Sequence, residues 1–255
     1  MGEIVLRATG VSKRFGGLQA LSDVGIQIER GQVYGLIGPN GAGKTTFFNV
    51  LTGLYAPDGG TFELAGKPYQ PTAVHEVAIA GIARTFQNIR LFADMTALEN
   101  VMVGRHCRTR SGVWGAVLRT PAFRAEESAI ARRSHELLEY VGIGRYADFK
   151  ARTLSYGDQR RLEIARALAT DPQLIALDEP AAGMNATEKV QLRGLIDKIR
   201  HDNRTILLIE HDVKLVMGVC DRVTVLDYGK QIAEGAPADV QKNEQVITAY
   251  LGTGH

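Results

Sequence analysis

The sequence predicts an α/β fold in which a mostly parallel sheet is flanked by helices. Three observations support this prediction. Short β-branched or aliphatic runs alternate with helical stretches along the chain, which is typical of parallel strands joined by helices. A glycine-rich loop joins one of these runs to a helix. A mostly helical stretch with few strand signals, at about residues 92–152, interrupts the alternation and is predicted to be an inserted helical subdomain.

The predicted strands are short runs of β-branched or aliphatic residues, at 33–37, 61–64, 82–86, 174–177, 205–209 and 222–226. The predicted helices lie at 44–51, 127–141, 155–169, 187–200 and 212–219. No long linker rich in serine or glycine divides the chain. We therefore expect a single domain over residues 1–255, with its core formed by 1–91 and 153–255 and the helical subdomain by about 92–152.

Composition and charge argue against several classes of protein. The chain of 255 residues is 45% hydrophobic and 23% charged, which is an ordinary globular composition. Its formal net charge is only +2, so the total charge does not favour nucleic acid or an anionic membrane as the main partner. The N-terminus lacks the pattern of a secretion signal, and no apolar run approaches the roughly 20 residues that cross a bilayer. We expect a protein that is not secreted and that reaches a membrane only through partner subunits.

The strongest local signal is the segment 38–45, Gly-Pro-Asn-Gly-Ala-Gly-Lys-Thr, which matches GxxxxGK[ST] between a predicted strand and a predicted helix. Its glycines let successive backbone N–H groups turn toward one anion, and the following helix presents its positive dipole end to the same phosphates. Lys44 is predicted to reach the β- and γ-phosphates and to assist catalysis, and Thr45 to ligate Mg²⁺. The predicted nucleotide-binding residues of this loop are Gly38, Pro39, Asn40, Gly41, Ala42, Gly43, Lys44, Thr45 and Thr46.

Two acidic residues follow the apolar strand 174–177. Asp178 is predicted to hold Mg²⁺ through its water shell, and Glu179 to polarise the attacking water. Acidic residues after a strand are often only solvated turn groups, but the phosphate-binding loop upstream favours the catalytic interpretation. The next buried strand, 205–209, precedes His211. This histidine is either a structural residue at a strand end or a catalytic residue that bonds the γ-phosphate and holds Glu179 and the water in line.

Residues 154–168, Leu-Ser-Tyr-Gly-Asp-Gln-Arg-Arg-Leu-Glu-Ile-Ala-Arg-Ala-Leu, resemble the LSGGQ signature helix of ATP-binding-cassette (ABC) ATPases. The order of the functional segments is also that of the family, and the resemblance runs from about residue 4 to residue 251. It implies a P-loop NTPase core of RecA-like type with an antiparallel β subdomain and an inserted α-helical subdomain. It also implies ATP hydrolysis with Mg²⁺ by two cassettes packed head to tail, with each ATP between the phosphate-binding loop of one and the signature of the other.

The resemblance assigns further site residues. Ser155 and the backbone N–H of Gly157 would bind the γ-phosphate of ATP held by the partner cassette. Gln87 would touch Mg²⁺ and the attacking water, and would couple the site to a membrane subunit. Phe15 corresponds to the aromatic residue that stacks on adenine, although a place in the hydrophobic core is the alternative for this side chain.

Within the family, the sequence is most similar to ATPase subunits of branched-chain amino acid importers. The similar segments are 84–92, 95–101, 106–125, 235–239 and 250–251. This similarity implies a subunit that powers uptake of branched-chain or other hydrophobic amino acids through separate membrane permease subunits. Its other partners would be a second ABC ATPase subunit, in a homo- or heterodimer, and indirectly an extracytoplasmic solute-binding protein. It would lie at the cytoplasmic face of the inner or plasma membrane as a peripheral subunit, and nucleic acid is not expected as a partner.

Other functions remain open at this level. The nearest alternative is the ATPase of an exporter, including one for lipid or lipopolysaccharide. A soluble ABC ATPase of DNA repair or translation generally carries a long coiled coil, a zinc hook or a second cassette, which the sequence does not show. A P-loop kinase or GTPase would leave the signature helix unexplained. The arginine-rich stretch 105–124 fits either contact with lipid headgroups or permease loops, or a solvated basic insert. Nucleic-acid binding ranks third, since no recognised module accompanies the charge. The residues of this prediction are Arg105, Arg108, Arg110, Arg119 and Arg124, with Trp114 and Phe123.

Three residues depart from the family pattern. Tyr156 stands where glycine is usual, Asp158 where glutamine is usual, and Asn185 where aspartate is usual. The backbone donors of the signature are unaffected by these changes. Asp158, however, would place a negative charge near the γ-phosphate of the partner's ATP.

Overall fold

The computed structural model describes residues 2–70, 73–106 and 120–251. In chain order the strands are β1 (Ile4–Phe15), β2 (Leu18–Glu29), β3 (Val33–Ile37), β4 (Gly59–Leu64), β5 (Lys67–Tyr69), β6 (Ile82–Arg84), β7 (Leu174–Asp178), β8 (Thr205–Ile209), β9 (Arg222–Asp227) and β10 (Lys230–Gly235). The helices are α1 (Lys44–Leu51), α2 (Val74–Ala80), α3 (Ala97–Arg105), α4 (Pro121–Tyr140), α5 (Tyr156–Leu168), α6 (Ala186–His201), α7 (Val213–Val219), α8 (Pro237–Val240) and α9 (Glu244–Leu251). The chain divides into two compact units, Met1–Arg84 with Gln173–His255, and Thr85–Pro172.

The first unit contains a six-stranded sheet in the order β10-β9-β3-β8-β7-β6. Its strands run parallel except β10, which is antiparallel to β9. Every residue of β3, β7 and β8 is buried, as the apolar runs in the sequence predict. Because the carboxyl ends of parallel strands meet at one edge of a sheet, the residues that follow β3, β7, β8 and β9 come together there.

The first unit also contains a four-stranded antiparallel sheet in the order β2-β1-β4-β5. Its apolar side chains form one core cluster with side chains of α1 and of the parallel sheet. The residue pattern alone located β4 but not β1, β2 or β5. The pairing of β1 with β2 has register shifts along its length, and each shift breaks the apolar alternation by which a strand is recognised.

The second unit contains α3, α4 and α5, with single 3₁₀ turns at Gly144–Tyr146 and Ala151–Thr153. In its described residues the only β pairing is an isolated bridge between Thr96 and Lys150. The stretch 92–152, predicted to be helical, lies inside this unit, which also includes α5.

The element ends agree with the sequence analysis to within two residues except at the start of α4, and two of the differences have identifiable reasons. β6 was expected to continue to Phe86 but ends at Arg84, because the backbone of Phe86 bonds to side chains of α5 instead of a neighbouring strand. α4 begins at Pro121 and not at residue 127. The Thr120 side chain accepts a hydrogen bond from the N–H of Phe123 and caps the helix, and proline is favourable in the first turn.

No helix within residues 2–70, 73–106 and 120–251 is both long enough and apolar enough to span a membrane. In the arginine-rich stretch, Arg105 donates to the carbonyl of Ala169 at 3.3 Å and pairs with Asp171, whereas Arg124 is exposed. Phe123, another member of that prediction, is partly buried in α4, and the remaining members lie outside the described residues: Arg108, Arg110, Trp114 and Arg119. Most of segment 106–125 lies outside them as well.

Candidate functional site

The loop between β3 and α1 needs glycine at its two ends. Gly38 has φ +151°, and a Cβ there would lie 2.1 Å from the carbonyl oxygen of Leu226. Gly43, directly before α1, has φ +102°, and a Cβ there would lie 2.8 Å from the carbonyl oxygen of Ala20. No other residue type fits at these distances without moving the neighbouring backbone. The loop is therefore held against two strand ends while its backbone N–H groups and the start of α1 remain available to an anion.

Lys44 begins α1 and folds back over the loop. Its side chain is buried, and Nζ donates to the carbonyl oxygens of Gly38 at 2.6 Å and Pro39 at 2.9 Å. Burial lowers the pKa of the ammonium group, and the nearby Glu179 carboxylate opposes this shift. The sequence therefore places a cation at the mouth of a loop that is itself suited to binding phosphate.

A cleft of about 390 Å³ opens over this loop. The predicted residues that line it are Phe15, Asn40, Gly41, Ala42, Gly43, Lys44, Thr45, Thr46 and Glu179. Phe15 keeps 41% of its surface exposed, so it belongs to the wall of the cleft and not to the hydrophobic core. Its ring packs in a T-shaped contact with the ring of Tyr55, with the centroids 5.1 Å apart. An aromatic face next to a phosphate-binding loop can stack on a planar base.

Tyr228 lines the same cleft, and the sequence analysis did not identify it. It is 84% exposed and lies in the turn between β9 and β10. The next residue, Gly229, donates its N–H to the carbonyl of Ala42 and accepts from the N–H of Ser22, which fixes this turn against the loop. A residue that follows a parallel strand at the edge where the loop lies could have been considered as a site residue from topology alone.

Asp178 and Glu179 follow β7 at the same edge. Asp178 is buried, and its Oδ2 lies 3.3 Å from Nη2 of Arg84. The Nη1 of the same arginine donates to Oγ1 of Thr52 at 2.7 Å. Glu179 has the left-handed φ of +44°, and its backbone N–H bonds to the carbonyl of Ile209. Arg84 thus holds the buried carboxylate, while the backbone turn directs the chain away from the strand at Glu179.

His211 lies beside the predicted catalytic carboxylate. Its Nδ1 is 3.6 Å from Oε2 of Glu179, and the histidine side chain is 57% exposed whereas that of Glu179 is 17% exposed. The structure therefore brings together the pair that the sequence predicted to act on one water molecule.

Glu210 is a site residue that the sequence analysis missed. It is fully buried, and its carboxylate accepts hydrogen bonds from the backbone N–H groups of Ala181 at 2.7 Å, His211 at 3.1 Å and Asp212 at 3.4 Å. Burial raises the pKa of this carboxyl against the opposing effects of these N–H groups and of His211. Glu210 joins the turn after Glu179 to the turn after β8. An acidic residue directly after a buried strand was the available signal.

Replacing Glu210 with alanine is expected to destabilise the protein by at least about 3 kcal/mol, because each buried donor that loses its partner costs about 1–3 kcal/mol. The measurement is the free energy of unfolding in urea. Glu210→Gln keeps one acceptor oxygen and should lose less. A Glu210→Ala variant within about 0.5 kcal/mol of wild type would contradict this role.

Gln87, Ser155 and Gly157 belong to the second unit, whereas the other predicted site residues belong to the first. Ser155 is exposed and is the N-cap of α5: its Oγ accepts from the N–H of Asp158 at 3.2 Å and donates to Oδ2 of Asp158 at 2.8 Å. Gly157 lies in the first turn, where backbone N–H groups have no carbonyl partner within the helix. Gln87 is exposed, and its carbonyl oxygen accepts from Nη2 of Arg160 at 2.7 Å.

Each departure from the family pattern has a local structural role. Asp158 engages Ser155, and its other carboxylate oxygen lies 3.5 Å from Nη1 of Arg161, which offsets part of its charge. The hydroxyl of Tyr156 accepts from Arg160 at 3.3 Å. Asn185 forms a capping box at the start of α6.

Two family models match the sequence. One, described as ABC transporter, matches residues 21–182, which is more than half of the chain. The chain belongs to the ABC transporter family. The second model, described as Branched-chain amino acid ATP-binding cassette transporter, matches residues 230–255 of this cassette. The cassette is 46% identical over 253 residues to the high-affinity branched-chain amino acid transport ATP-binding protein LivG of Salmonella typhimurium, with 99% of each chain covered.

Solved ABC cassettes share the fold. The ADP conformation of one ATP-binding cassette of an ABC transporter has a TM-score of 0.85 and 32% identity, covering 98% of this chain and 99% of that chain. A dimeric cassette in a post-hydrolysis state with ADP and phosphate has a TM-score of 0.76 and 25% identity, covering 91% and 98%. The predicted fold class is confirmed: a P-loop NTPase core, an antiparallel β subdomain and a helical subdomain. The cassette binds nucleotide and is an ATPase, as predicted.

Proposed function

We propose that this cassette hydrolyses ATP to power uptake of branched-chain or other hydrophobic amino acids through separate membrane permease subunits. The observation that carries this proposal is the 46% identity to LivG along 99% of both chains. The match extends beyond the generic ATP site, because residues 230–255 separately match the branched-chain amino acid transporter model. In this arrangement the cassette lies at the cytoplasmic face of the inner or plasma membrane, and it meets the extracytoplasmic solute-binding protein only through the permease.

The first unit holds the nucleotide in this proposal. Phe15 stacks on the adenine, the loop N–H groups surround the phosphates, and Lys44 Nζ exchanges its carbonyl partners for the β- and γ-phosphates. Thr45 lines the cleft, and Asp178 ends β7 at the same sheet edge. Hydroxyl and carboxylate oxygens are suitable ligands for Mg²⁺. Bound Mg²⁺ would supply positive charge to the phosphate oxygens. Arg84 keeps the Asp178 carboxylate in place.

Glu179 accepts the proton of the attacking water in the proposed hydrolysis step. His211 orients that carboxylate through the 3.6 Å contact between Nδ1 and Oε2. Glu210 supports both residues, since its carboxylate accepts from the N–H of Ala181, two residues after Glu179, and from the N–H of His211 itself. Gln87 contributes to binding of Mg²⁺ and water, as its place in the family order implies.

A second cassette completes the site, and it is either a copy of this chain or a related subunit. Ser155 and Gly157 at the start of α5 donate to the γ-phosphate of the partner's ATP. Hydrogen bonds to charged groups contribute about 1.5–3 kcal/mol each, so two of them favour closure on ATP over ADP by about a hundredfold or more. The Ser155 hydroxyl must first turn away from Asp158, because it donates to that carboxylate in the free chain.

An exposed apolar surface on the second unit supports a permease partner. Phe92, Met95 and Phe149 are 46%, 39% and 52% exposed. Their segments are joined by backbone hydrogen bonds from Ala97 to Phe149 and from Ala151 to Met95. Large apolar side chains grouped on a surface mark sites of protein association. We assign this surface to the permease, and nucleic acid has no role in the proposal.

The proposed function is tested by purifying the tagged cassette from detergent-solubilised membranes and identifying the subunits bound to it. We expect a permease, and after reconstitution with its solute-binding protein we expect ATP turnover to rise with leucine, isoleucine or valine. The variant Phe149→Asp should keep ATP turnover in solution but lose the permease, because it places a charge on the docking surface. Stimulation by a lipid or a sugar, with no response to these amino acids, would contradict the proposed substrate.

A further inference from the structure

Arg160 and Glu163 form a fully buried ion pair on one face of α5. Their side chains are 0% and 1% exposed, and Nη1 of Arg160 lies 2.7 Å from Oε2 of Glu163. Neither residue belongs to the nucleotide site described above.

Both side chains also bond to the backbone at the beginning of the Gln87 segment. Arg160 donates to the carbonyl oxygens of Phe86 at 2.6 Å and of Gln87 at 2.7 Å. Glu163 accepts from the N–H of Phe86 at 3.1 Å through its other carboxylate oxygen. The pair therefore satisfies the N–H and the C=O of Phe86 just beyond β6. The Phe86 ring is further covered by Arg90, whose guanidinium carbon lies 4.4 Å from the ring centroid.

Such a pair is not an efficient way to stabilise a fold. Removing two charges from water is costly, and apolar residues of similar size often replace a buried ion pair without loss of stability. Burial raises the pKa of the Glu163 carboxyl even though Arg160 opposes that shift. The pair forms a fixed set of hydrogen bonds between α5 and the backbone of Phe86 and Gln87, which apolar residues could not form.

α5 is also the helix that Ser155 begins. The pair consequently joins the two parts of the second unit that the proposed function assigns to the nucleotide, the signature and Gln87. Tyr156 adds to the same junction, since its hydroxyl accepts from Nη2 of Arg160.

We propose that Arg160 and Glu163 are positioning residues that hold the Gln87 backbone to the signature helix, and that the position of Gln87 set in this way is needed for ATP hydrolysis. This inference rests on the proposed function, because it assumes that Gln87 acts on the nucleotide. It gives Gln87 a mechanical link to the partner's ATP inside one unit of the chain.

The test replaces the pair by apolar residues in the double variant Arg160→Met/Glu163→Leu and measures ATP turnover, KM and melting temperature in the full chain. The melting temperature should stay within about 3 °C of wild type or rise. Turnover should fall by about 10- to 100-fold with KM for ATP within about twofold, since displacement of a site residue by about 1 Å can cost that much.

The decisive comparison adds Gln87→Ala to the double variant. If the pair acts through Gln87, the triple variant should be no slower than Gln87→Ala alone. A purely structural pair would instead make the two losses multiply. Amide hydrogen exchange supplies a readout without activity: the peptide containing Phe86 and Gln87 should exchange faster in the double variant.

The control is the pair Arg133 and Glu136, which has the same spacing on α4 but is exposed, with its charged atoms 2.9 Å apart. The variant Arg133→Met/Glu136→Leu should keep wild-type turnover and wild-type exchange at Gln87. Should Arg160→Met/Glu163→Leu fail to fold, Arg160→Lys replaces it in the same comparison. This variant keeps the positive charge but loses the planar guanidinium, whose two terminal nitrogens donate to the carbonyls of Phe86 and Gln87. It should still lower turnover without changing KM for ATP.

Unchanged turnover in the pair variant, multiplying losses, or wild-type turnover in Gln87→Ala would each overturn the inference. These failures differ from failure of the proposed function, which would appear as absence of permease binding or of amino acid-stimulated turnover in the unmodified cassette.

Discussion

Replacing Glu179 with glutamine is expected to lower ATP turnover by about 10²–10⁴-fold, which is the usual contribution of a general base. Glutamine has nearly the same shape as glutamate but cannot accept the proton of the attacking water. Lys44 and the loop are unaffected, so ATP binding should persist. The measurement is phosphate release at saturating ATP and Mg²⁺, together with the molar mass of the cassette with and without ATP. We expect the variant to accumulate as an ATP-bound dimer.

The control for this prediction is Glu188→Gln. Glu188 is partly exposed, and its carboxylate accepts from the N–H of Asn185 in the capping box of α6, a role that glutamine can fill. Its turnover should equal that of wild type. If Glu179→Gln retained half of the wild-type turnover, a different residue would have to accept the proton.

Replacing Lys44 with alanine is expected to raise the dissociation constant for ATP by about 10- to 150-fold, since one hydrogen bond to a charged group contributes about 1.5–3 kcal/mol. Nζ is a buried cation at the mouth of the loop, bonded to the carbonyls of Gly38 and Pro39, and phosphate oxygens are better acceptors for it. Binding can be followed by calorimetry. ADP should be affected as well, because the predicted contacts include the β-phosphate.

Lys242→Ala is the matched control, because Lys242 is exposed and lies in the chain between α8 and α9. Its ATP affinity should not change. The melting temperature of Lys44→Ala is measured without nucleotide. A melting temperature below that of wild type would indicate a damaged loop, whereas an unchanged one would assign the weaker ATP binding to the lost phosphate contact. An ATP affinity within about twofold of wild type would show that the loop backbone alone binds the phosphates.

The parallel sheet could be predicted well because its strands are buried on both faces. Val33–Ile37 and Thr205–Ile209 are continuous apolar runs, and the structure gives them the predicted bounds. The antiparallel strands were harder, since irregular register between β1 and β2 disrupts the alternation that identifies them. α4 was predicted too short because the cap at Thr120 and the proline after it were not used as a start signal.

Some residues of the candidate site could be predicted from the sequence, and others could not. Residues whose chemistry depends on local spacing, such as Lys44, Asp178 and Glu179, could be predicted from a loop motif and a strand end. Tyr228 and Glu210 also follow buried strands, but the sequence did not show which strand ends share one sheet edge, and their contacts at that edge are what set them apart.

By itself the sequence determined the phosphate-binding loop, the strand-end carboxylates and the signature helix, because each depends on neighbouring residues and on backbone geometry within one turn. Only the tertiary structure decided that Glu210 joins the turn after Glu179 to the turn after β8, and that Arg160 and Glu163 hold the backbone of Phe86 and Gln87. Those bonds join residues far apart in the chain, and a buried charge finds its partner only after the strands and helices have packed.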